Sequence, residues 1–168
     1  MFRHQRLQKL VFSALFAAAI MVMTAYFLHI PIPTGGYIHV GDALIYLAAC
    51  LLPAPYAVGA AAVGAGLADL LTAPMWVVPT LIIKALVALL FTGHGERILC
   101  RRNCAAAVIA CVLSPTAYAF AGCILAGTWA AFAPQFLGTL VQGIGSGILF
   151  FLLAPALDGV KLKSRLAV

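Results

Sequence analysis

The sequence predicts an all-α integral membrane protein: one bundle of six transmembrane helices with both termini in the cytoplasm. Three observations carry that prediction. The first is composition. Of 168 residues, 65% are hydrophobic and 8% charged, against about half and about a quarter in a soluble domain. So few polar side chains cannot cover a globule in water. The second is the length of the apolar runs. At about 20 residues per span, the chain accommodates six helices with short loops, so residues 1–168 form a single transmembrane domain. The third is the placement of charge. Nine of the ten basic residues fall in three clusters beside apolar runs: Arg3, Arg6 and Lys9; Arg97, Arg101 and Arg102; Lys161, Lys163 and Arg165. That is the positive-inside pattern of membrane topology, and it accounts for the net charge of +6 without a nucleic acid.

The elements follow in order. Helix 1 is expected over residues 8–29, its apolar run 10–28 being a first span rather than a cleaved leader. Pro31, Pro33, Gly35 and Gly36 end it, because proline and glycine together break helices. Helix 2 is short, 39–52, and Pro53-Ala54-Pro55 turns the chain into helix 3, 56–71. Thr72-Ala73-Pro74 leads to helix 4, 75–92. A basic loop, 93–103, precedes helix 5, 104–126, expected to bend at Ser114-Pro115. Helix 6 spans 134–157, and a basic tail follows. With the N-terminus inside, all nine flanking basic residues face the cytoplasm. The outer loops around Thr34, Thr72 and Thr128 contain no Lys or Arg.

Small residues recur every four positions on three helices: Ala14 and Ala18; Ala60, Gly64 and Ala68; Thr139, Gly143 and Gly147. In lipid such stripes let backbones approach closely, and on helices 3 and 6 packing within the bundle explains them. Polar groups are more informative, since each is costly in a membrane. His39, Asp42 and Tyr46 share a face of helix 2 at i, i+3, i+7. Trp76, Thr80 and Lys84 align on helix 4, and Gln135, Thr139, Gln142 and Ser146 on helix 6. Asp69 and Tyr118 stand in the outer halves of helices 3 and 5. Lys84 is the deepest on its helix, roughly 12 Å below Trp76 at 1.5 Å per residue. Several stripes at matching depth imply one cavity that opens outward beneath the glycine-rich loop.

Each residue also has a plainer reading. Lys84 and Asp69 could neutralise each other as a structural ion pair. Asp42 could favour the start of helix 2 electrostatically. The helix 6 stripe could be interhelical hydrogen bonding, and Trp76 and Tyr37 could be interfacial belt residues.

Chemistry of other classes is poorly represented. No G-x-x-x-x-G-K-[ST] phosphate loop is present, so the chain has no means of that kind to hydrolyse ATP. GIGSG around Ser146 lacks nucleophile-elbow spacing. His4, His29, His39 and His94 form no metal pair, and Cys50, Cys100, Cys104, Cys111 and Cys123 form neither a metal pattern nor a disulfide framework. An intramembrane enzyme is therefore not expected, nor is a cofactor or a metal.

At this point the residues resemble the S components, the substrate-capture subunits of energy-coupling factor (ECF) vitamin transporters. ALFAA (14–18) is similar to the A-x-x-x-A motif of the family's first helix. GGYIHVGDALIYLAA (35–49) resembles the segment leading into helix 2, and GAGLADLL (64–71) with VPTLIIK (78–84) resembles helices 3 and 4. The order of these motifs across six short spans is the specific feature. The resemblance implies a plasma-membrane protein of prokaryotic type that captures a vitamin or vitamin precursor from outside. Its partners would be a transmembrane coupling subunit and two ATPase subunits, which consume the ATP. It also implies that Ala14 and Ala18 dock on the coupling subunit, and that the first outer loop, with Thr34, Gly35, Gly36 and Tyr37, is the gate. The candidate ligand contacts are His39, Asp42, Asp69, Thr80, Lys84, Tyr118 and Gln142. Where many members carry an asparagine shortly before the helix 6 glutamine, this chain has Thr139, so the ligand itself is left open. The mixture of Asp, Lys, Gln and aromatic groups suits a small flat heterocycle, a pyrimidine or pyridine precursor rather than a larger flavin or folate. The competing expectation is a self-sufficient, ion-coupled carrier that uses Asp42 or Asp69 as its proton-coupling carboxylate.

Overall fold

The computed structural model describes residues 2–27, 29–31 and 37–166. Its elements are α1 (Phe2–Tyr26), a two-stranded hairpin β1 (Ile30–Pro31) and β2 (Tyr37–Ile38), α2 (Asp42–Leu51), α3 (Ala54–Thr72), α4 (Val77–Leu90), α5 (Arg101–Ala126), α6 (Phe132–Gly159) and a short α7 (Leu162–Leu166). Single 3₁₀ turns, Pro74–Trp76 and Trp129–Ala131, lead into α4 and α6. The hairpin is antiparallel, with Ile30 opposite Ile38 and Pro31 opposite Tyr37.

The exterior identifies the solvent. Leu15, Val63, Val78, Ile124 and Leu152 are exposed, while Asp42, Asp69, Lys84 and Gln142 are buried. A water-soluble fold does not turn so continuous an apolar surface outward, so this is an α-helical membrane protein. Gln5–Tyr26, Ala54–Thr72, Arg101–Ala126 and Trp129–Gly159 are long and apolar enough to cross a bilayer, whereas Asp42–Leu51 and Pro74–Leu90 are apolar but shorter.

The short helix is the centre of the bundle. Among the ten residues of α2 only Leu44 is not buried, and at 1.5 Å per residue the helix rises only roughly 15 Å. A helix that is apolar on every side belongs inside protein rather than at an interface. It starts at Asp42 rather than at residue 39, as the sequence suggests, because the His39 imidazole accepts the Gly41 N–H at 3.0 Å. That local bond holds the preceding residues in a turn.

α1, α3, α4 and α6 pack around α2. The broadest packing is α1 on α3, α5 on α6 and α3 on α4. At the first of these the backbones nearly touch. A Cβ on Gly64 would lie 2.6 Å from the Ala17 carbonyl oxygen, so the small-residue stripe of α3 is a packing surface, as its spacing predicts. Prolines sit both in first turns and inside helices, Pro115 in α5 and Pro155 in α6. Pro55 and Pro79 occupy first turns, and α5 continues through Pro115 to a left-handed cap at Gly127, φ +67°. α1 begins earlier and ends earlier than expected, and α5 begins at Arg101 instead of residue 104.

At the end of the bundle bearing the basic loop, two side chains fasten residues 91–100. Asn103 accepts the Thr92 N–H at 2.9 Å and donates to the carbonyls of Thr92 and Ile98, at 3.1 and 2.9 Å. The Asp158 carboxylate accepts the N–H groups of Ile98 and Leu99, at 2.7 and 3.0 Å. The loop, whose Phe91 and Ile98 are buried in the core, is thereby tied to α5 and α6.

Candidate functional site

The other end of the bundle holds a polar chamber. Tyr37, His39, Asp69, Trp76, Tyr118, Gln135, Thr139 and Gln142 line it, around about 310 Å³ of empty space including the mouth. The helical periods deliver these groups. Gln135, Thr139, Gln142 and Ser146 on α6 are all buried, as are Trp76, Thr80 and Lys84 along the α4 segment. The bundle turns both stripes inward, as costly polar groups in a membrane require.

Behind the floor lies an ion pair. Lys84 Nζ lies 2.7 and 2.8 Å from the two carboxylate oxygens of Asp42, and Gln142 Nε2 donates to Asp42 Oδ2 at 3.0 Å. Both charged side chains are 1% exposed. The alternative of a Lys84–Asp69 pair is therefore corrected: the lysine is matched to Asp42. Asp42 stands in the first turn of α2, where the helix dipole also favours a negative charge, and α4 brings Lys84 against that turn. Lys84 Nζ additionally lies 5.0 Å from the centre of the Tyr118 ring, within cation–π range.

The walls are aromatic and hydrogen-bonded. Thr80 Oγ1 and the Tyr118 hydroxyl are 2.7 Å apart, and the Trp76 and Tyr118 rings are 5.8 Å apart. Thr139 Oγ1 donates to the Gln135 carbonyl at 2.9 Å. The Trp76 indole N–H is buried and meets no acceptor among the described residues. His39 accepts at Nδ1, so its one proton sits on Nε2. Two uncharged donors therefore stand at this chamber for a ligand acceptor.

Tyr37 joins the hairpin to the bundle. Its hydroxyl donates to Asp69 Oδ1. Its ring stacks on His29 with centroids 4.0 Å apart and leans over His39 at 5.5 Å. The other residues expected in the gate, Thr34, Gly35 and Gly36, lie outside the described residues.

Of the seven candidate contacts, His39, Asp69, Tyr118 and Gln142 line the chamber. Asp42, Thr80 and Lys84 stand behind it and hold its wall and floor in place. Trp76, Gln135 and Thr139 were not among those seven, although the same helical stripes carry them. Ala14 and Ala18 are exposed on α1, while Ala17 and Ile20 meet Gly64 on α3. The pair is thus not consumed by packing in the bundle. Deeper in the interior, the hydroxyls of Tyr46, Ser114 and Ser146 are buried without hydrogen-bond partners among the described residues.

Apolar helices turned outward around a polar, open-mouthed chamber define an α-helical membrane protein with an internal polar site. Residues 4–158 match the family described as ECF-type riboflavin transporter, S component, and the chain belongs to that family. It is a transmembrane S component of vitamin uptake, in a family of transporter subunits rather than enzymes. Comparison with curated proteins and with solved structures gives no match.

Proposed function

We propose that the chain captures a vitamin-class flat nitrogen heterocycle from outside the cell. It then surrenders the ligand inward when docked on a transmembrane coupling subunit driven by two ATPases. The observation that carries this reading is the chamber. Five separate segments contribute polar groups to one open cavity, and the charges behind its floor are already matched, which suits reversible binding of a small solute. The proposed docking face is the exposed Ala14 and Ala18 side of α1. The proposed topology is six spans in the plasma membrane with both ends cytoplasmic. It is supported by the absence of Lys and Arg from the three outer loops.

Two ligand classes are in view. The family description names riboflavin. The polar and aromatic groups that line the chamber also suit a one-ring pyrimidine or pyridine vitamin. Trp76 and Tyr118 would flank the ring of either, and the free N–H donors would meet its carbonyl or ring nitrogen.

Uptake tests the reading. Cells or vesicles containing this chain with the coupling module should accumulate ligand in an ATP-dependent manner, insensitive to a protonophore. Accumulation by the chain alone, abolished by a protonophore, would establish an ion-coupled carrier instead. Native mass spectrometry of gently purified protein would show which heterocycle copurifies.

A further inference from the structure

The charges around the chamber do not sum to zero. Asp42 and Lys84 cancel, their atoms 2.7 Å apart. His39 contributes no charge, since the nitrogen that accepts the Gly41 N–H cannot also carry a proton. Asp69 is left over. Its partner is the Tyr37 hydroxyl, a neutral donor that leaves the carboxylate charge unmatched. Among the described residues no Lys, Arg or His forms an ion pair with it. His29, the other titratable group at the mouth, stacks on the Tyr37 ring. Residues 32–36 read Ile-Pro-Thr-Gly-Gly and bring no charge in any conformation.

We infer that the chamber carries one net negative charge and therefore accepts neutral and cationic heterocycles while rejecting their phosphate esters and other anions. This rests on the capture reading and adds its charge rule. Phosphate sites are built from Arg or Lys forks or from free helix N-termini. Among the described residues the one buried lysine is committed to Asp42, and Trp76 N–H and His39 Nε2–H at the chamber are uncharged donors. At about 6 Å and an effective dielectric near 20, repulsion between two unit charges weakens binding on the order of 100-fold. A nutrient that arrives outside the cell as a phosphate ester must then be hydrolysed by a phosphatase-type reaction before capture.

The test uses the full chain in lipid nanodiscs. Riboflavin and flavin mononucleotide are compared by flavin fluorescence; pyridoxine, pyridoxamine and pyridoxal 5′-phosphate are compared by calorimetry. In whichever series binds, the ester should be at least 100-fold weaker than the free vitamin, and the amine at least as tight as the neutral alcohol. Asp69→Asn should narrow the vitamin-to-ester ratio at least tenfold. An ester within tenfold of its vitamin overturns the inference, as does an unchanged ratio in a folded Asp69→Asn protein, which would mark the discrimination as steric. If Asp69→Asn does not fold, the order of amine, alcohol and ester on the unaltered protein decides. Binding by no member of either series removes the capture reading, and this inference with it.

Discussion

Replacing Lys84 with methionine keeps the length of the side chain but leaves the Asp42 carboxylate, among the described residues, with Gln142 as its one remaining side-chain donor. Both partners are 1% exposed, so water does not make up the loss. Breaking one side of a buried pair costs about 3–5 kcal/mol, because the surviving charge stays desolvated, whereas replacing both partners with neutral groups is often close to free. Lys84→Met alone should therefore lower the folded-to-unfolded ratio by roughly a hundredfold or more. Asp42→Asn alone should be comparably damaging, since it strands the ammonium. The double variant should recover most of the loss, giving a coupling of about 2 kcal/mol or more in a double-mutant cycle. The assay is equilibrium unfolding in mixed micelles, with vitamin binding measured in parallel. Additive losses in the double variant would show that the two charges do not hold each other, and the account of the floor would fail. Full stability of Lys84→Met would refute it as directly.

Three other outcomes follow from the geometry. Ala14→Trp or Ala18→Trp should cut coupled uptake at least tenfold while leaving ligand affinity within about twofold, because both side chains are exposed on α1; uptake and equilibrium binding on the same preparations check this. Tyr37→Phe removes the hydroxyl that fastens β2 to Asp69. A lost hydrogen bond to a charged group is worth about 1.5–3 kcal/mol, so stopped-flow measurement should show ligand release at least tenfold faster. Asp158→Ala deprives two loop N–H groups of their acceptor and should destabilise the protein by about 1–3 kcal/mol. Affinity should be unchanged, since the chamber is at the other end; unfolding and binding measurements separate the two effects.

The stripes were legible because membrane burial leaves a helical period of polar residues with one sensible destination. Trp76, Thr80 and Lys84, and Gln135, Thr139, Gln142 and Ser146, were placed together from spacing alone, and all are buried on the inward side. The partner of Lys84 was not legible. Whether Asp42 or Asp69 receives it depends on how α2, α3 and α4 are rotated against each other, and no local pattern encodes that. The start of α2 was misplaced because His39 fits the helical period yet spends its ring nitrogen on the Gly41 N–H. Asp158 and Asn103 went unnoticed for a similar reason. Their partners are backbone groups of the 91–100 loop, up to 60 positions away in the chain, and backbone carries no sequence signature. The resemblance in the motifs of α1 to α4 gave the family, which the match over residues 4–158 bears out.

The burial of α2 on nearly every side separates two jobs that most spans must share. Bilayers differ in thickness, and helices in contact with acyl chains tilt or deform to match them. A ten-residue segment sheathed by its neighbours feels none of that pull, so the seat of Asp42 is insulated from the lipid in which the protein happens to sit. Mechanical adjustment to a thinner or thicker membrane falls on the outer ring of helices, while the ligand meets the same floor everywhere.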